Sequence, residues 1–97
     1  MKLQKGEEVG DYLFYCTGCN CHHLVTTERK NDRGAQWRFN GNMEAPTFYP
    51  SIHIWVLTSD EKKKTICHSY VSNGFIQYLL DSDHELKGQT IELSNIN

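Results

Sequence analysis

A cluster of cysteine and histidine residues constrains this chain more than any other feature. Three of the four cysteines lie within residues 16–21, and two histidines follow at once. Two cysteines spaced as Cys-x-x-Cys can reach one zinc ion from a tight turn, and zinc takes four tetrahedral thiolate or imidazole ligands. Cys16, Cys19 and His23 supply three such ligands. The sequence therefore predicts a structural zinc site near its N-terminal end.

The fourth ligand must come from another part of the sequence or from within the cluster. Cys67 is the one cysteine outside the cluster, and a zinc ion bound to it would stabilise a domain too small to depend on its core alone. Cys21, His22 and His68 are the alternatives. A disulfide is disfavoured because the polar start of the sequence does not look like a secretory signal, and no βαβ pattern suggests a redox Cys-x-x-Cys.

Length and charge limit the classes of protein that this chain can belong to. Its 97 residues predict a single domain spanning residues 1–97, and its net charge of −2 argues against a nucleic-acid partner. No apolar stretch approaches membrane-spanning length, so no membrane partner is expected. We expect a cytoplasmic protein, in a bacterium or in its host cell.

The hydrophobic pattern predicts strands almost throughout. The expected strands are residues 11–15, 24–27, 35–39, 52–57, 64–71, 75–80 and 89–93. Residues 46–50 carry two prolines and should be extended, Asn73-Gly74 should form a hairpin turn, and residues 81–86 should form one helical turn. The predicted fold is mainly β, an irregular antiparallel sheet or a partly open barrel with an N-terminal zinc knuckle.

Alternation within one predicted strand separates two kinds of chemistry. Cys67 and His68 are consecutive, so their side chains point to opposite faces of the sheet. If Cys67 binds the metal ion, His68 is free for another role. Ser51, at the start of one predicted strand, and Asp81, at the end of another, could meet His68 as the hydroxyl, imidazole and carboxylate that a serine hydrolase requires.

Several segments, in their order and spacing, resemble one family. They are residues 16–19, 37–41, 46–52, 67–71 and 81–90. The family consists of small bacterial and phage proteins often labelled ammonia monooxygenases, and it is similar to the peptidase component of bacterial ubiquitination-like (Bub) operons. The monooxygenase label is disfavoured, because oxygen chemistry at copper or iron needs a histidine or histidine-carboxylate site with open positions.

The resemblance implies a zinc-stabilised fold and a serine peptidase acting on a ubiquitin-like modifier. It implies zinc at Cys16, Cys19 and His23, and a polar site made of Ser51, His68, Asp81 and His84. The chain departs from many of these relatives at Ser82, where they carry cysteine. This departure bears on whether the catalytic role can be transferred to the chain.

Two other functions remain open at the level of sequence. The first is a non-catalytic, zinc-stabilised module that binds a host protein through exposed aromatic side chains. The second is a catalytic zinc site built from His53, His68 and His84, in which the ion activates water. The hydrolase hypothesis expects a protein or peptide substrate. The binding module expects a protein partner and no reaction.

Overall fold

The computed structural model describes residues 1–96, which form eight β-strands. The strands are β1 (Gln4–Lys5), β2 (Asp11–Cys16), β3 (Cys21–Thr26), β4 (Arg38–Phe39), β5 (Phe48–Leu57), β6 (Lys63–Ser72), β7 (Phe75–Tyr78) and β8 (Thr90–Glu92). Strands β1 to β3 form one antiparallel sheet and β4 to β8 form a second, each in sequence order. The prediction of a mainly β fold is confirmed.

The two sheets share one hydrophobic core. The first sheet contributes Phe14 and Val25, and the second contributes residues such as Ile52, Ile76 and Tyr78, all of them almost completely buried. The core side chains come from strands far apart in the sequence, and each strand turns one face toward them. Packing between the sheets therefore brings the N-terminal cysteines next to β6.

The hairpin between β6 and β7 fixes the register of the strand that carries His68. Asn73 and Gly74 both have positive φ, 52° and 83°, which is the backbone geometry of a two-residue hairpin turn. Ser72 pairs with Phe75 directly across this turn. The Asn-Gly turn prediction is confirmed, and with it the alternation along β6: Cys67 and Ser69 are fully buried, whereas His68 lies on the other face.

The prediction of a helical turn over residues 81–86 is wrong. This segment forms turns, and none of residues 1–96 is in a helix. The main-chain N–H of Leu79 donates to the C=O of His68, and that of Asp83 donates to the C=O of Ile66. Residues 79–83 therefore run beside β6. The local bonds from the N–H of Ser82 to Leu79 and from that of Lys87 to His84 close single turns that do not continue into a helix.

Strand β5 also differs from its prediction, since it begins at Phe48 and includes Pro50 and Ser51. Phe48 pairs with Val71 but Ile52 pairs with Ser69, so β5 carries two more residues than β6 between these pairs. The Tyr49–Pro50 peptide bond within this irregular stretch is cis. Proline is tolerated at such a bulge because it has no N–H to pair, and bulges re-aim side chains. The described chain has no helix that is long and apolar enough to span a membrane.

Candidate functional site

The predicted metal ligands converge in the structure. The ligand atoms of Cys16, Cys19, His23 and Cys67 all lie within 4.8 Å of one another. The Sγ atoms of Cys16 and Cys67 are 3.9 Å apart. Zinc–sulfur bonds of about 2.3 Å in a tetrahedron place two sulfurs about 3.8 Å apart, so the spacing fits a single ion.

Two further observations show that these residues fit a metal ion. The Nε2 atom of His23 is buried and has no hydrogen-bond partner among residues 1–96, which is costly unless the nitrogen binds something else. The three thiols also crowd one another. A hydrogen bond from Cys67 lowers the pKa of Cys16, while burial and then the charge of Cys16 raise the pKa of Cys19. A cation at the centre would allow all three to be thiolates.

Side chains around the cluster support the thiolates. The Tyr78 hydroxyl lies 3.3 Å from the Sγ of Cys16, and the N–H of Cys19 donates to the same sulfur at 3.4 Å. The Nε2 atom of His84 lies 3.4 Å from the Sγ of Cys67. Because the Nδ1 atom of His84 accepts from the N–H of Leu86, the ring proton is on Nε2 and points to the sulfur.

The structure does not bring His84 to Ser51 and His68, with which it was grouped in the sequence analysis. Its ring packs edge-on against Tyr78, with centroids 4.6 Å apart, and covers Gly18. A Cβ atom on Gly18 would lie 2.4 Å from the ring, so glycine is required by this close approach. His84 therefore belongs to the surroundings of the cysteine cluster. Among residues 1–96 the cysteine cluster is the one group of three or more ligand side chains close enough to share an ion.

Cys21 and His22, the alternative ligands in the knuckle, lie outside the cluster. Both are exposed on β3, and Cys21 pairs across the sheet with Cys16. The His22 ring packs edge-on against Tyr15, with centroids 5.3 Å apart. The tight turn between β2 and β3 directs Cys19 inward and Cys21 outward.

On the opposite face of β6, the structure brings together Ser51, His68 and Asp81. The Ser51 Oγ lies 2.9 Å from the His68 Nε2, and the His68 Nδ1 lies 3.0 Å and 3.1 Å from the two carboxylate oxygens of Asp81. The hydrogen bond from His68 lowers the pKa of Asp81, so this carboxyl group is ionised and can only accept. The proton of His68 therefore lies on Nδ1, which leaves Nε2 to accept the proton of Ser51.

Local structure holds each member of this group in place. The irregular stretch of β5 presents Ser51, whose C=O accepts from the indole Nε1 of Trp37 at 3.2 Å. The buried Ser82 Oγ accepts from the N–H of His68 at 2.9 Å and donates to the C=O of His68 at 3.0 Å. These two hydrogen bonds to the main chain of His68 fix residues 79–83 beside β6. Asp81 lies within that segment.

Three residues that support the site were not predicted from the sequence: Ser82, Trp37 and Tyr78. No local pattern marks them, since each acts through a contact with a residue at least fourteen positions away. His53 was assigned only to the alternative zinc site. Its ring lies beside that of His68, with centroids 4.8 Å apart, and burial and then the neighbouring His68 lower its pKa.

The arrangement has the order of contacts needed for nucleophilic catalysis: hydroxyl to imidazole to carboxylate. It also lies at the surface, since the side chain of His68 is 24% exposed and that of Asp81 is 54% exposed. A substrate can therefore reach it without any opening of the fold.

Comparison with known protein families gives a match that covers most of the chain. A family model described as the bacterial ubiquitination-like system serine protease (BubE) matches residues 2–79, more than three quarters of the chain. The matched range includes the cysteine cluster, Ser51 and His68, whereas Asp81 and His84 follow it. No curated protein and no solved structure matches the chain. By this match, the chain belongs to the family of serine proteases of bacterial ubiquitination-like systems.

Proposed function

We propose that this protein is a serine peptidase in which Ser51 is the nucleophile, His68 the general base and Asp81 the carboxylate that orients His68. The main observation in support is the continuous hydrogen-bond chain from the Ser51 Oγ through both ring nitrogens of His68 to Asp81. Membership of the protease family supports the same assignment. The expected substrate is a peptide or the tail of a ubiquitin-like protein.

The reaction follows from the positions of the protons. The Ser51 Oγ attacks the carbonyl carbon of the scissile amide while the His68 Nε2 takes the hydroxyl proton. Asp81 accepts from Nδ1 and stabilises the imidazolium that forms. His68 then gives its proton to the leaving amine, which leaves an ester on Ser51, and a water molecule activated by the same imidazole hydrolyses that ester.

We further propose that the cysteine cluster binds a structural zinc ion. Three thiolates and one imidazole are a usual donor set for closed zinc sites, and the charge they donate weakens the Lewis acidity of the ion. The ion would stabilise the fold and fix the position of β6, and the reaction would proceed at Ser51 without using the metal.

A fluorophosphonate probe tests the proposal without knowledge of the substrate, because such probes attach to activated serine hydroxyls. We expect one adduct per chain, found on Ser51 by peptide mass spectrometry and lost in Ser51→Ala and His68→Ala. Ser69→Ala is a matched control, since Ser69 is a fully buried serine in β6 whose Oγ has no partner among residues 1–96. It should be labelled like the wild type.

The Ser51→Ala and His68→Ala variants should retain the fold, because neither residue is part of the buried core. Their zinc content and melting temperature should stay close to those of the wild type, while cleavage of a ubiquitin-like protein carrying a C-terminal extension is lost. Absence of labelling in the wild type, or labelling that persists in Ser51→Ala, would refute the catalytic assignment. The non-catalytic binding module would then be the better account.

A further inference from the structure

A cleft runs beside Ser51, between β5 and the loop of residues 31–37. Its volume is about 460 Å³, and its lining includes Ser51, His53, Trp55, Trp37 and Arg33. The cleft exists because β4 pairs with β5 at two positions only, Arg38 with Tyr49 and Phe39 with Phe48.

Just before β4, the chain turns away from β5. The main-chain N–H of Trp37 donates to the C=O of Thr26, at the end of β3. Residues before Arg38 therefore pair with the first sheet and leave the edge of β5 beyond Tyr49 without a neighbouring strand. An uncovered strand edge presents N–H and C=O groups to any extended chain that can reach it.

The main-chain groups of His53 point to this uncovered edge. His53 lies opposite His68, but the N–H and C=O of His68 bond to Ser82 and Leu79 on the far side of β6. The pair is therefore of the non-hydrogen-bonded kind, in which both residues direct their main-chain groups away from each other. The N–H and C=O of His53 thus face the cleft, and no main-chain group of residues 1–96 pairs with them on that side.

The neighbouring carbonyls on the same edge confirm this direction. The C=O of Ser51 accepts from the indole of Trp37, and the C=O of Trp55 accepts from the Arg33 Nη1 at 2.5 Å. Both donors are side chains that reach across the cleft from the loop. The main chain of this edge is thus open at His53 and bordered by side chains on either side.

We propose, on the basis of the serine peptidase function above, that the substrate binds in this cleft as an added β-strand whose main chain pairs with the N–H and C=O of His53. Strand addition is a general mode of peptide recognition, in which main-chain bonds give affinity for any extended sequence. His53 is two residues from Ser51, about 7 Å along the strand. The paired residue of the substrate therefore lies close to the bond that Ser51 attacks.

The far end of the cleft determines which extended peptide fits best. The guanidinium carbon of Arg33 lies 3.7 Å from the centre of the Trp55 ring, and no carboxylate among residues 1–96 forms a salt bridge with Arg33. Stacking holds the guanidinium in a fixed orientation suited to a carboxylate. Trp55 is four residues from Ser51, about 13 Å. The preferred substrate is an extended peptide with an acidic group about four residues from the cleaved bond.

Two variants of His53 isolate the contribution of its main-chain N–H. His53→Ala and His53→Pro both lose the imidazole, but only proline also removes the N–H, and the fold does not use that N–H. We expect equal fluorophosphonate labelling of Ser51 in the two variants. Cleavage of a mixture of defined 14-residue peptides should have a kcat/KM at least tenfold lower for His53→Pro than for His53→Ala.

This design separates the two proposals. Failure of the wild type to react with fluorophosphonate would refute the peptidase function. Equal labelling together with equal peptide cleavage by the two His53 variants would refute strand addition alone. Circular dichroism and thermal melting establish that the proline variant is folded.

A scan of the substrate provides a second test that needs no change in the protein. N-methylation of successive amides in the best-cleaved peptide, apart from the scissile amide, should block cleavage at one position, the residue whose N–H donates to the His53 C=O, and not at its two neighbours, whose N–H groups point away from β5. Uniform sensitivity or none would refute the proposal. Arg33→Gln should remove the preference for acidic peptides over their amide analogues, and a preserved preference would refute the role of Arg33.

Discussion

Ser82→Ala is the sharpest test of how the fold positions the candidate base. The variant removes both hydrogen bonds of the Ser82 Oγ to the main chain of His68. The C=O of His68 keeps a second donor, the N–H of Leu79 at 2.8 Å, so only the N–H of His68 loses its sole partner. An unsatisfied buried donor lowers the free energy of unfolding by about 1–3 kcal/mol. Because His68 is partly exposed, we expect a loss in the lower part of this range, about 1–2 kcal/mol.

This loss should be measurable by two methods. Urea unfolding should show the decrease in the free energy of unfolding directly, and the melting temperature should fall by roughly 4–16 °C for a domain of this size. Ser82→Cys should lose less, because a thiol keeps a weaker donor and acceptor at the same position. Ser72→Ala, at an exposed serine of β6, serves as the control and should be close to wild type.

Ser82→Ala should also slow the labelling of Ser51, because displacement of His68 by a fraction of an ångström lengthens the contact between the two side chains. A change in unfolding free energy below about 0.5 kcal/mol would refute the reasoning, since surface substitutions of no structural consequence fall in that range. Loss of stability with unchanged labelling would mean that Ser82 stabilises the sheet but does not position the imidazole.

Three further predictions concern the cysteine cluster and the Asp81 carboxylate. Cys16→Ser should lose bound zinc, measured by elemental analysis, and melt more than about 10 °C lower, whereas Cys21→Ser should keep both properties; a chelator that leaves the wild-type melt unchanged would contradict this. Asp81→Asn should lower kcat/KM by about 10²- to 10⁴-fold at neutral pH, because the amide can no longer hold His68 as the charged carboxylate does. Since the hydrogen bond from His68 lowers the pKa of Asp81, the stabilising effect of this carboxylate is present above about pH 4 and is lost as the pH falls. Unfolding measured from pH 7 to pH 2 should therefore show the difference between wild type and Asp81→Asn shrinking only at the acid end, and a constant difference would contradict it.

The alternation of side chains along β6 could be predicted because it depends only on the period of a strand. Cys67 and His68 must point to opposite faces wherever that strand lies, and this one fact separates the metal ligands from the candidate active site. The cysteine spacing similarly predicted three metal ligands, because their contacts are local. For the fourth, the position of Cys67 outside the cluster and the small size of the domain favoured this residue, but Cys21, His22 and His68 stayed open as alternatives until the structure placed Cys67 in the cluster.

The contacts that complete the site could not be predicted, because they depend on how distant segments pack. Nothing near Ser82 indicates that its hydroxyl bonds to a residue fourteen positions earlier, and the expected helical turn would have placed it elsewhere. The resemblance to the family also grouped His84 with the polar site. Only the packing of residues 79–86 against the knuckle shows that it lies beside the cysteine cluster instead.

The contact between Cys16 and Cys67 in one cluster has a consequence for when the proposed active site forms. The two residues are 51 positions apart, so an ion held by both closes a long loop. Closing a loop of that length costs about 3.5 kcal/mol in chain entropy. The unfolded chain retains this entropy as long as no ion joins Cys16 to Cys67. His68 follows Cys67 directly, and its alignment with Ser51 depends on β5 and β6 being in register. If the cluster binds its ion as proposed, a newly made chain should therefore acquire an aligned serine and histidine only after the ion has joined Cys16 to Cys67, so that the order of events in folding delays the proposed proteolytic activity until the domain is complete.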